Sequence, residues 1–426
     1  MADLELINLK PMYFDPKAGK CVERAGAITE KLPQLFWSDG RPWLAACEFG
    51  LSKLRDSNCD MKTISSSMGH LRAYASWLEA SQVDWRDFPK RKRDRCLFKY
   101  RGFLIEQRDQ GRLAPSTTTT RMSSVIQFYR WARAYGWIER KELWEDQTKA
   151  VRFHTTVGLA RTLAVLSSEL SIPNRKRSRL TLEGGLLPVE NKTRNLLLQY
   201  LKKKEMIELF LMLLIGFFTG ARSETIRTLR LVSIEHPKED PSLPGVPMIA
   251  VGPGTGVKTK SGVSGDIPFP MPVLEALRDY ATSPRRLFRQ AKASQEDQGL
   301  LFLTERGNWY SETTLTKLIS RMREQLVSEG LVQFKEFKFH QSRATYGTQL
   351  MRLAMDNLPS QTDAICFVRD AMLHADESTT WKYVKFIEQA PLREKFSGEF
   401  FNLFTGVSDS NESSFLNELV VSDDQA

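Results

Sequence analysis

The sequence predicts a mainly α-helical protein, with a helical module followed by a mixed, mostly helical domain that holds a small antiparallel β-sheet. Three observations predict it. Apolar residues recur at spacings of one to four between about Leu35 and Ile138, which marks helix faces. Helical periodicity returns from Asn195 to Phe218 and from Arg222 to Val232. After these, Met248–Val251 and Asp266–Phe269 flank a Gly- and Lys-rich turn in the manner of a hairpin. A length of 426 residues suits two domains plus tails.

Taken in order, residues 1–34 show little periodicity and several turn formers, and read as a loosely structured N-terminal arm. The helical module spans 35–150. Trp43, Leu44, Cys47, Leu51 and Leu54 share one helix face, Ile64–Glu79 gives a second helix, and Cys96–Arg108 a third. Pro115 and Ser116 open a fourth, which Gly136 stops. Residues 151–188 read as a basic linker, with Pro173, Gly184, Gly185 and Pro188 around Arg175, Lys176, Arg177 and Arg179. The second domain spans 189–404, its helices resuming after Pro272. Residues 405–426 form an acidic tail whose composition suits disorder.

An apolar share of 41% with 26% charged residues is ample for buried cores. The net charge of +10 favours an anionic partner, most commonly nucleic acid. The five cysteines lack the close spacing of a zinc or redox site, so reduced thiols are expected. Met1–Lys10 carries acids among its apolar residues, unlike a signal peptide. The most apolar run, Ile207–Phe218, contains Glu208 and falls short of the roughly 20 residues a membrane span needs. A buried helix and a cytoplasmic protein are expected.

Four segments of the second domain carry polar residues beside apolar helices. Arg222 ends Thr219-Gly220-Ala221-Arg222, directly after the apolar run. A salt bridge to Glu205 or Glu224 would explain it, and so would an anionic ligand. His340 and Arg343 lie at i and i+3, so they share a helix face; such pairs are common on helix surfaces. Lys258 and Lys260 stand on the hairpin turn, where lysines usually face solvent. His374 and Tyr383 are nine residues apart. On one unbroken helix that is two and a half turns, which puts them on opposite faces. Asp376 or Ser378 would make a good N-cap. A helix ending at His374, a turn and a new helix would bring both side chains to one pocket; a half-buried core tyrosine is the plainer reading of Tyr383.

Together these residues, in this chain order and spacing, resemble the catalytic domain of the tyrosine recombinase (phage integrase) family. The matching segments are Thr219-Gly220-Ala221-Arg222, Lys260-Ser261-Gly262 in its hairpin, His340-x-x-Arg343, and Leu373-His374 with Tyr383. The similarity spans about residues 190–404, and Ser116–Ile138 resembles the family's core-binding domain. The resemblance implies the tyrosine recombinase fold and a DNA strand transferase that uses neither metal nor ATP and carries no cofactor. It implies that Arg222 and Arg343 clamp the scissile phosphate and that Tyr383 attacks phosphorus. Lys260 would protonate the leaving 5′-oxygen, His340 would assist Tyr383, and His374 would hydrogen-bond the phosphate. Three points depart from the pattern. The family's acid three residues after the first arginine is Thr225 here, with Glu224 beside it. Lys258 competes with Lys260 as general acid. Leu373 stands where the family commonly has glycine.

Double-stranded DNA is the expected partner, held between two domains joined by a basic linker. Lys90, Arg91, Lys92, Arg93 and Arg95, with Arg175, Lys176, Arg177 and Arg179, are candidate phosphate contacts. Thr117 and Arg121 open a helix whose N-terminus suits a phosphate or a groove. A solvated face accounts for each group equally well. The apolar stretch Phe386–Phe404 packs on its own domain or, by the family analogy, on a neighbouring copy. That analogy implies a tetramer on two duplexes, served by accessory proteins, acting for a mobile element at the nucleoid. A type IB topoisomerase-like enzyme and an inactive DNA-binding protein are the alternatives.

Overall fold

Four local signals shape the first helices. In the computed structural model Asp60 caps the helix Met61–Ser81 by accepting from the Thr63 backbone N–H at 2.8 Å, an arrangement that contributes about 1 kcal/mol. Gln82 ends that helix in the left-handed region. Pro115 begins another at a position whose N–H needs no partner, and Gly136, at φ +76°, follows its end. The structure describes residues 1–388 except 11, 24–27, 58, 141, 155–159, 175–181, 183–184, 241–244, 375–376 and 378.

The described residues fall into two compact units, one within Met1–Arg177 and one within Ser178–Ala426. The first unit begins with strands β1 (Asp3–Leu9), β2 (Met12–Asp15), β3 (Lys20–Glu23) and β4 (Thr29–Phe36). β1 pairs antiparallel with β4, and β2 with β3. Helices α1 (Leu44–Arg55), α2 (Met61–Ser81), α3 (Cys96–Asp109) and α4 (Pro115–Ala134) follow, then the hairpin β5 (Asp146–His154) and β6 (Ala160–Ser168).

Two expectations fail here. The arm over 1–34 is stranded, because β4 buries Leu32 and places Leu35 in the helices' core, while β1 pairs with the backbone of β4. The linker is shorter than 151–188, since its first part contains the end of β5 and all of β6, and Leu170 and Ile172 are buried in the first unit's core. Aromatic rings dominate that core. Trp43 contacts Trp37, Tyr74, Trp85 and Phe128, and the Tyr74 and Tyr129 hydroxyls share a buried hydrogen bond of 2.7 Å.

The second unit opens with α5 (Asn191–Lys203), α6 (Ile207–Thr219), α7 (Ser223–Arg227) and α8 (Leu231–Glu235). Strands β7 (Lys238–Glu239), β8 (Pro247–Val251) and β9 (Gly265–Pro268) form one antiparallel sheet in that order. The expected hairpin is β8–β9, with Ile249 opposite Ile267. Helices α9 (Met271–Thr282), α10 (Pro284–Gln290), α11 (Glu312–Ser328), α12 (Gln341–Asn357) and α13 (Gln361–Ala371) complete it, with α14 over 379–388.

The apolar run is the buried helix α6, and its one acid is paired: Glu208 meets Arg285 at 2.7 Å, Arg289 at 2.8 Å and the Tyr280 hydroxyl at 3.1 Å. Burial and this carboxylate push the Tyr280 hydroxyl's pKa up. Gly216 lets α6 approach α12, since a Cβ there would lie 2.3 Å from Ser342 Oγ. No described helix is long and apolar enough to cross a membrane.

Candidate active site

α6 ends at Gly220, which adopts φ +66°. That turn places Arg222 as the residue preceding α7. Arg343 rises from the first turn of α12 and is buried, at 2% exposure. Its guanidinium donates to the Gly220 carbonyl at 2.5 Å and to the Met372 carbonyl at 2.8 Å. Arg222 donates to the next carbonyl, Leu373, at 3.2 Å. The two arginines therefore converge on one turn from separate elements. They line a small cleft with Thr219, Thr225, Thr259, Val263 and Leu373. Two guanidiniums in a half-buried cleft suit an anion, because each offers a fixed fork of charged donors.

The turn between α13 and α14 carries the rest. α13 ends at Ala371, three residues before the expected end at His374. The chain reverses through Leu373 at φ +51°. His374 is buried, and its Nδ1 lies 2.9 Å from the Thr380 hydroxyl. Tyr383, on α14, is fully buried and stacks on the His374 ring, centroids 6.1 Å apart. The break thus brings the two side chains together. The expected cap at Asp376 or Ser378 lies outside the described residues.

The other sequence candidates are placed less tightly. Lys260 is exposed, in a short 3₁₀ turn between β8 and β9, next to Thr259 of the cleft wall. Lys258 is also exposed, and its backbone N–H donates to the Thr228 hydroxyl at 2.9 Å. His340 immediately precedes the helix that bears Arg343 and is half-buried. Glu224 is exposed, whereas Thr225, in the position of the missing acid, is buried in the cleft wall. Tyr346, one turn after Arg343, packs its ring over Gly220. Burial pushes its hydroxyl's pKa up to about 12, against the pull of Arg343. Sequence reasoning passed over Thr380, Thr259 and the Gly220 carbonyl, and nothing in their spacing singles them out.

In the first unit one basic candidate is corrected. Arg95 is buried, and its guanidinium donates to the carbonyls of Leu143 at 2.9 Å and Pro89 at 3.1 Å. It ties two loops together, because a charge sealed from water needs such acceptors. Lys92 is paired with Glu145 at 2.5 Å and Glu169 at 3.4 Å. Lys90, Arg91 and Arg93 are exposed. Thr117 and Arg121 sit half-buried in the first two turns of α4. The linker cations Arg175, Lys176, Arg177 and Arg179 lie outside the described residues, as do the acidic tail and most of Phe386–Phe404.

The mostly helical fold with its small antiparallel sheet is that of the tyrosine recombinases, and here an arginine pair lies beside a histidine–tyrosine stack. Residues 189–389 match the model of the phage integrase family. That match spans the second domain of the chain. Among solved structures it is similar to the Tn1549 transposon integrase in complex with a circular intermediate DNA. The two share 13% identity over 79% of this chain and 94% of that one, with a TM-score of 0.50; the likeness concerns the fold. It is also similar to a lambda integrase dimer bound to a core site, at 14% identity, 80% and 94% coverage and a TM-score of 0.46. No curated protein matches the sequence.

Proposed function

We propose that this protein is a site-specific DNA recombinase that cleaves and rejoins strands through a 3′-phosphotyrosyl intermediate. One observation carries the reading: Arg222 and Arg343 converge on the very turn that leads to His374 and Tyr383. A phosphodiester gains charge on its equatorial oxygens in the transition state, and the two arginines stabilise it there. The Tyr383 oxygen attacks phosphorus, the bond from phosphorus to the 5′-oxygen breaks, and the leaving oxygen takes a proton from Lys260. His340 accepts the tyrosine proton and His374 hydrogen-bonds the phosphate. Glu224 and Lys258 have supporting roles in orienting Arg222 and in the hairpin. The covalent link conserves the bond energy, so a second 5′-hydroxyl reseals the strand without ATP.

Double-stranded DNA as the substrate is supported by the net charge of +10 and by the DNA held in the Tn1549 integrase structure. Lys90, Arg91, Arg93, Thr117 and Arg121 contact phosphates on the first unit. The linker cations Arg175, Lys176, Arg177 and Arg179 do the same. The reaction integrates, excises or transposes a mobile element in the cytoplasm, by a tetramer on two duplexes with accessory proteins.

The complete burial of Tyr383 favours a second reading, a DNA-binding protein without strand cleavage. A nicked suicide duplex bearing the element's end separates the two. A covalent adduct that is lost in Tyr383→Phe, with exchange between two duplexes, supports the recombinase. Relaxation of any supercoiled plasmid without exchange points to a topoisomerase, and binding without an adduct to the inactive protein.

A further inference from the structure

Leu373 sits where a leucine is poorly suited. Its φ of +51° lies in the left-handed region, which glycine occupies freely and a branched side chain only at a conformational cost. A compensating contact is needed to keep it there. The structure supplies two. The Leu373 carbonyl accepts from Arg222 at 3.2 Å. Its side chain reaches the other way, to β9, where Cδ2 lies 2.4 Å from the place a Cβ on Gly265 would occupy. Gly265 is the first residue of β9 and closes the loop that carries Lys260. Leu373 also packs against the second unit's core and lines the arginine cleft, together with Thr259 and Val263 of that same loop.

We propose that Leu373 is a positioning residue that sets the Lys260 loop in register with the arginine pair. Its carbonyl holds one side of the clamp while its side chain seats on Gly265 at the base of the loop. The bare Hα face of Gly265 is the socket. The inference rests on the recombinase reading for its catalytic consequence, but the docking itself stands on geometry alone. It also gives the departure from glycine a purpose, since a glycine at 373 would relieve the backbone and leave the loop without its anchor.

The test uses the full chain and two variants. Leu373→Gly removes both the strain and the side chain; Leu373→Ala keeps the strain and removes only the seat. Hydrogen exchange without DNA is read first. Both variants are expected to speed exchange of the amides over 252–264 several-fold while α6 and α12 stay protected. Gly265→Ala is expected to disorder the same loop in the wild type and to be tolerated in the Leu373→Ala background. Unchanged loop exchange, or additive effects of the two substitutions, overturns the docking.

Cleavage of the suicide duplex is then compared with cleavage of the same duplex carrying a bridging sulphur at the scissile 5′ position. A thiolate leaves without a proton, so it bypasses the general acid. Leu373→Gly is expected to lose roughly tenfold or more on the oxygen duplex and to recover to within about twofold on the sulphur one, as misplacement of one catalytic group predicts. Equal losses on both duplexes overturn the positioning role and leave a packing residue. A wild type that forms no adduct with either duplex would instead sink the recombinase reading, while loop exchange still judges the docking.

Discussion

Tyr383 stacks on His374 with ring planes inclined by only 19°, and nothing of Tyr383 reaches solvent. Gly347 lies against the tyrosine edge, and Met372 belongs to the same buried cluster as Tyr383. On the proposed mechanism, attack on a phosphate in the arginine cleft requires α14 to shift its tyrosine out of this buried seat. Substitutions that loosen or overfill the seat should change how readily that happens.

Gly347→Ala is the direct probe. A helical glycine changed to alanine ordinarily gains about 0.5–1 kcal/mol. Here the new Cβ would lie 2.6 Å from Tyr383 Cε1 and 2.7 Å from Met372 Sδ. The expected result is a loss of about 1–3 kcal/mol, read as a lower urea midpoint. A gain in stability would show that the seat is looser than described.

Arg343→Lys keeps the charge but not the fork. One ammonium cannot hold the Gly220 and Met372 carbonyls as the guanidinium does. The variant should lose about 1.5–3 kcal/mol and form covalent adduct at least ~100-fold more slowly. Wild-type adduct rates would remove Arg343 from the clamp.

Arg95 and its exposed neighbours should behave differently. Arg95→Ala strips donors from buried carbonyls, so a loss of about 1–3 kcal/mol is expected with an unchanged salt dependence of DNA binding. Arg91→Ala and Arg93→Ala should leave stability within about 0.5 kcal/mol. Each should reduce the salt slope by roughly one unit if it neutralises a phosphate. A flat response at both exposed sites would take them out of the interface.

His70, on α2, offers a pH signature. Burial, reinforced by Arg121, holds its imidazole pKa below the ordinary value. The unfolded chain then binds the proton more readily than the folded one. Its stability contribution is full above the unfolded pKa of about 6.5 and is lost as pH falls through the lower folded value. The wild-type unfolding midpoint should fall more steeply than that of His70→Gln between about pH 7 and 5. Parallel curves would show that another group governs acid sensitivity.

Much of this architecture is legible in sequence because its signals are local. Helix periodicity, Pro115 and the β8–β9 alternation suffice to place their elements. The N-terminal strands escape notice because β1 and β4 are joined by pairing between residues far apart in the chain, with Leu35 buried in the core of later helices. Arg95 misleads for the same reason: five cations in a run look alike until the fold buries one. The arginine pair, His374 and Tyr383 are visible as a pattern, yet their meeting point is not. It depends on backbone carbonyls at 372 and 373, which no side-chain spacing reveals.

The aromatic core of the first unit has a practical outcome. Seven of the chain's nine tryptophans, from Trp37 to Trp144, are gathered in or around it, whereas Trp309 and Trp381 belong to the second unit. Intrinsic emission is thus a built-in optical reporter weighted to one half of the molecule, while circular dichroism sees the helices of both. Melting curves recorded by the two probes will superimpose only if the halves unfold as one.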